Sequence, residues 1–168
     1  MVHLDEVLDD EFQGDHDPLA MLERAIALAA FCMRRMFEKR LVTDALAALT
    51  VDVRSFPAID RGFRPPFHGA SGGTAYSNYE FSRPETLQLS LRVLANEIIH
   101  SSQLMVIGQD ERVADGLLVA SDLHLRKRVL HVTREEFEAC VQLVLDDRVA
   151  ISSEAWDPAT DKVASKRD

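Results

Sequence analysis

Cysteine is nearly absent from this chain: 168 residues hold two, Cys32 and Cys140. Each lies inside a helical hydrophobic pattern, and neither belongs to a CxxC pair or a spaced framework. That excludes a disulfide-stapled scaffold and predicts two buried, reduced thiols. No apolar run approaches the ~20 residues that a membrane-spanning helix needs. The opening residues Asp5, Glu6, Asp9, Asp10 and Glu11 are acidic where a secretory leader is basic. The expectation is a cytoplasmic protein, neither secreted nor membrane-bound. Positive charge is also in deficit: 19 Lys and Arg stand against 28 Asp and Glu, a net charge of −9. Such a balance repels polyphosphates at long range and weighs against a free-standing DNA or RNA binder. His68, His100, His124 and His131 are scattered, with no HxxxH or HExxH pair to place two ligands on one face, so neither a metal site nor a cofactor is expected. Gly69-Ala70-Ser71-Gly72-Gly73 lacks the Lys-Ser/Thr of a phosphate loop, and no GxSxG nucleophile turn is present.

What is present is the composition of a folded domain, 46% hydrophobic and 28% charged. At this length one core is the expectation. Residues 1–17 read as an acidic arm, 18–149 as a single domain and 150–168 as a flexible tail in which Trp156 is the one large anchor. Asp17-Pro18 is a helix start, and Leu19, Leu22, Ile26, Ala29 and Met33 recur at helical spacing up to Lys39-Arg40. A second helix is predicted from Thr43 to Pro57 on the stripe Leu46, Leu49, Val53 and Phe56. Pro57 to Phe81 reads as a long loop rich in Gly, Pro and aromatics. Ser82 with Glu85 forms a capping-box pattern, and from it a long helix is predicted to about His100. Gln103–Ile107, Gly116–Ser121 and Val129–Val132 alternate as short strands. Thr133 with Glu136 opens a last helix carrying Phe137, Cys140 and Val144. The fold class expected is α+β: a helical core of three or more helices with a small three-stranded antiparallel meander before the last long helix.

Candidate chemistry gathers in two places. Arg92, Asn96 and His100 are spaced i, i+4, i+8 and step along one side of the long predicted helix at ~100° per residue. Leu89 and Val93 share that side, so the helix reads as apolar on two faces, one of them free for a second copy of the chain; a homodimer is expected. Histidine titrates near neutral pH, which fits His100 to general acid or base work with Arg92 and Asn96 holding a polar group beside it. His124, Arg126 and Arg128 make a basic hairpin tip able to bind an anionic ligand or protein partner.

Leu91-Arg92-Val93-Leu94-Ala95-Asn96-Glu97-Ile98-Ile99-His100-Ser101 resembles bacterial proteins with an N-x-I-I-H-S helix end and, distantly, the HEPN superfamily. The resemblance covers the first and third predicted helices. It implies a mainly helical dimer in which an arginine, a polar residue and a histidine on one helix cleave RNA without metal. Asn96 and His100 match the polar and histidine positions. Ala95 stands just before Asn96, and the nearest upstream arginine, Arg92, leaves a seven-residue gap. Two functions are therefore expected: a non-catalytic binding or adaptor module, or a metal-independent HEPN-like ribonuclease acting through His100.

Overall fold

A computed structural model describes residues 18–59, 78–108, 115–157 and 161–168. The expected acidic arm and most of the Pro57–Phe81 loop, with its glycine run and His68, lie outside them. Helix α1 spans Pro18–Glu38 and turns Ile26, Ala30 and Met33 into the core. It closes where Arg40 takes a left-handed φ of 53° and Leu41 N–H reaches back to the Met36 carbonyl. Helix α2 is a single short piece, Asp44–Ala48, capped by the Thr43 hydroxyl. Strand β1, Thr50–Pro57, follows directly.

Two expected helices are therefore wrong in part, and with them the expected architecture. Thr50-Val51-Asp52-Val53 alternates with period two, which suits a half-buried strand, although Leu49, Val53 and Phe56 also satisfy helical spacing. The pattern from Ser82 to His100 divides at Ser90: Glu85–Ser90 is strand β2 and only Leu91–Ile99 is helix α3. The Ser90 hydroxyl accepts from the Val93 N–H and caps α3 there, so Ser82 and Glu85 are not a helix start. β1 and β2 pair antiparallel from Thr50 against Ser90 to Ser55 against Glu85, setting Val51 beside Leu89 and Val53 beside Leu87. Strand pairing between distant segments outweighs local helical spacing here.

The chain continues through β3 (Ser101–Ile107), β4 (Gly116–Ser121), β5 (Arg128–Thr133) and α4 (Arg134–Asp146). All five strands form one antiparallel sheet in the order β2-β1-β5-β4-β3. The three-stranded meander is thus three-fifths of a larger sheet, and the core is built on that sheet rather than on helices. One face carries Val53, Leu117, Val119, Leu130 and Val132 against side chains of α1, α3 and α4. The other face carries Phe56, Leu118, Ala120 and Val129 against Tyr79 and Leu125. Every residue of β4 is buried, because both of its faces are covered. Gly116 has φ 152°, and a Cβ there would sit 2.2 Å from the Val132 carbonyl, so only glycine fits at the start of that strand.

The capping box at Thr133 and Glu136 is formed and starts α4. At its other end, Asp147 accepts hydrogen bonds from the Thr43 backbone and hydroxyl at 2.7 and 2.8 Å, fastening α4 to α2. Residues 150–168, expected as a tail, carry a hairpin of β6 (Ser152–Asp157) and β7 (Lys162–Arg167). It is tied to the α1–α2 corner by Arg40 donating to the Ser165 hydroxyl and by the Arg167 N–H donating to Asp44, whereas Trp156 is exposed. Among the described residues no helix is long and apolar enough to cross a membrane.

Candidate functional site

Helix α3 connects the two edge strands of the sheet, and both groups of candidate residues lie along it. Leu91, Leu94, Ala95 and Ile98 are its buried rows, packed on the sheet and on α1. Leu89 belongs to β2, so the second apolar face expected of this helix reduces to a partly exposed Val93. Arg92, Val93 and Asn96 line an open depression of about 450 Å³ with Phe37, Ala47 and Ser90. Arg92 is exposed and Asn96 half-buried. The Asn96 Oδ1 is itself shielded from solvent and has no donor among the described residues.

His100 does not join them. It caps the C-terminal end of α3, and its backbone N–H donates to the Asn96 carbonyl at 3.0 Å. Its ring leans toward α1, where Nε2 stands 3.1 Å from Nη1 of Arg34. A guanidinium only donates, so the imidazole accepts, which is the behaviour of a neutral ring protonated at Nδ1. Arg34 also donates through Nε to Glu38 at 2.7 Å, and Arg35 donates to the other Glu38 oxygen at 3.0 Å. The hydrogen bond from Arg34 is the main force holding the Glu38 carboxyl below its ordinary value; desolvation opposes it, and the hydrogen bond from Arg35 and the charges of both arginines add to the lowering. The arginine beside His100 is thus Arg34, from another helix, and spacing along one helix could not reveal it.

The basic tip also divides. His124 and Arg128 turn inward, while Arg126 and Lys127 remain exposed. The inward pair faces Glu97, a carboxylate that is only 5% exposed and that sequence reading passed over. Glu97 Oε1 lies 2.7 Å from His124 Nδ1 and 4.0 Å from Arg128 Nη2. Among the described residues its other oxygen, Oε2, has no hydrogen-bond partner, and neither does Arg128 Nε. One signal was available: Glu97 follows Leu94 by three residues, at the margin of the apolar face, and the basic tip had no acid assigned to it.

Ser121, at the end of β4, adds a hydroxyl 3.2 Å from the same His124 Nδ1. A serine, a histidine and a carboxylate here do not make a proton relay. That arrangement needs acid and hydroxyl on opposite ring nitrogens, and both of these meet one. The cluster instead pins the β4–β5 turn beneath α3. The turn is closed by the His124 and Leu125 N–H groups donating to the Ser121 carbonyl at 2.9 and 2.8 Å. From the opposite face of the sheet, the Tyr79 hydroxyl donates to the Leu125 carbonyl at 2.7 Å, and burial pushes its phenol well above the ordinary value.

The two thiols differ from each other, and only Cys32 departs from the expected burial. Cys140 is buried in the core, where desolvation and then the nearby Glu136 push its thiol up. Cys32 is exposed on the outer side of α1. Comparison of the chain with protein-family models, with curated proteins and with solved structures finds no match.

Proposed function

We propose that this protein is a cytoplasmic, non-catalytic binding module that works as a homodimer. The observation that supports this reading is the outer side of α1. Met21, Leu28 and Phe31 are 57%, 64% and 51% exposed there, opposite the buried Ile26, Ala30 and Met33. A helix that is apolar on both sides has one side for its own core and another for a partner. The histidines support the same reading: His124 is engaged by a buried carboxylate and His100 by a guanidinium, each in a contact that serves the fold.

A second reading, a metal-independent ribonuclease acting through His100, is favoured by one contact. Arg34 puts a cation beside the imidazole, which Arg92, from its place on the depression, does not. One experiment separates the two. Purified protein is incubated with mixed RNA in EDTA from pH 5 to 8, and no cleavage is expected. Cleavage that disappears in both His100→Ala and Arg34→Ala would overturn the binding-module reading and establish the other.

A further inference from the structure

Two depressions meet at Phe37 and Ala47, which line both. The one described above, of about 450 Å³, holds Arg92. The other, of about 370 Å³, lies between the end of α1, α2 and strand β7, and holds Arg40, Asp44 and Arg167. Joined across Phe37, they make one groove with an open outer side. Three arginines stand in it against one aspartate, on a chain whose net charge is −9. We propose that this groove binds an acidic peptide in extended form, with an apolar side chain on Phe37 and Ala47 and carboxylates to either side. The proposal rests on the binding-module reading above and names what is bound.

The arginines are placed for a ligand more than for the fold. Arg92 stands in the first turn of α3, where the helix dipole disfavours a cation, and no acid in that turn offsets it. Its side chain makes no hydrogen bond or ion pair among the described residues. Arg167 is half-buried, and its backbone N–H donates to Asp44 at 3.1 Å, yet no described carboxylate meets its guanidinium. Arg40 donates once, to the Ser165 hydroxyl at 2.9 Å, which orients the guanidinium and leaves its other N–H groups for a ligand. All three cations of the groove are arginines, whose planar fork matches a carboxylate.

Length, shape and charge select a peptide. Side by side, depressions of these volumes run for roughly 15 Å, the reach of four or five extended residues at ~3.3 Å each. Small-molecule sites enclose most of the ligand surface, whereas this groove covers one side. A nucleic acid or an anionic membrane meets the field of the whole chain, which is negative. A short peptide meets chiefly the charges within a Debye length of ~8 Å, which here are the arginines.

The test is isothermal titration calorimetry on the full chain. The probe is acetyl-DELDE-amide, with acetyl-NQLNQ-amide and acetyl-DESDE-amide as the peptides lacking its charge and its apolar centre. Binding of the first is expected, and each of the other two is expected to bind at least about tenfold more weakly. Arg92→Gln and Arg167→Gln are each expected to weaken binding about fivefold, and together about 25-fold. Ala47→Glu, at an exposed position lining both halves, is expected to abolish binding with an unchanged melting temperature.

No heat of binding from acetyl-DELDE-amide at about 5 mM would overturn the proposal. So would binding that all three substitutions leave unchanged, since the peptide would then sit elsewhere. Tighter binding of single-stranded RNA, or flotation on anionic vesicles, lost in the same variants, would assign the groove to those partners and equally overturn it. Sedimentation equilibrium keeps the failures apart. A dimer that binds no peptide overturns the groove and leaves the preceding reading in place, whereas a monomer that binds it overturns the homodimer and leaves the groove.

Discussion

Two histidines beside α3 meet opposite charges. His124 sits against a carboxylate that is almost wholly removed from water, and His100 lies in the open against a guanidinium. The same side chain is a donor to a buried anion in one place and an acceptor from a surface cation in the other. A burial difference of this kind decides energetic weight: a partner lost from a desolvated charge leaves that charge uncompensated, whereas an exposed pair is largely replaced by water.

Replacing His124 with Ala is the change expected to cost most, about 2 kcal/mol, measured as a lower midpoint in urea denaturation. The double variant with Glu97→Gln should recover part of that loss, because it removes the stranded carboxylate as well. Full additivity of the two losses would mean that the 2.7 Å contact carries no coupling and that the two histidines do not differ as described.

Tyr79 sharpens the comparison from the other face of the sheet, since it holds the turn on which His124 is carried. Its phenol is neutral in the folded and unfolded chains below about pH 10. Above that value the unfolded chain releases the proton while the folded chain keeps it, so stability is expected to fall as pH rises past 10. Tyr79→Phe should cost about 1 kcal/mol at neutral pH and flatten the alkaline decline, followed by thermal melts from pH 8 to 11.

His100→Ala is the smallest of the three. Its exposed contact with Arg34 predicts a change within about 0.5 kcal/mol in the same denaturation experiment. A loss as large as that of His124→Ala would erase the distinction between the two sites.

The elements that were legible in the sequence are those whose signals are local. α1 begins at Pro18, α4 at its capping box, and β3, β4 and β5 at the three alternating runs. β1 and β2 were not legible as strands, because Val53 and Phe56, like Leu87 and Leu91, also stand at helical spacing. What decides between them is pairing across a sequence gap, from Ser55 to Glu85. The Glu97 cluster was hidden for the same reason. Its partners lie on a turn and a strand end well along the chain, and a carboxylate at the margin of a helical stripe looks the same whether it meets water or a histidine. The His100–Arg34 contact, between helices separated in the chain by α2, β1 and β2, had no local mark at all.

Glu97 also restricts how α3 rests on the sheet. Leucine and isoleucine side chains alone would let the helix creep along its bed, since one greasy row slots nearly as well as the next. A negative charge sunk among them has a single berth, opposite His124 and Arg128. Displacing the helix by one turn would leave that anion bare in hydrocarbon, so the depression holding Arg92 and Asn96 keeps its shape through the seating of a residue that never touches it.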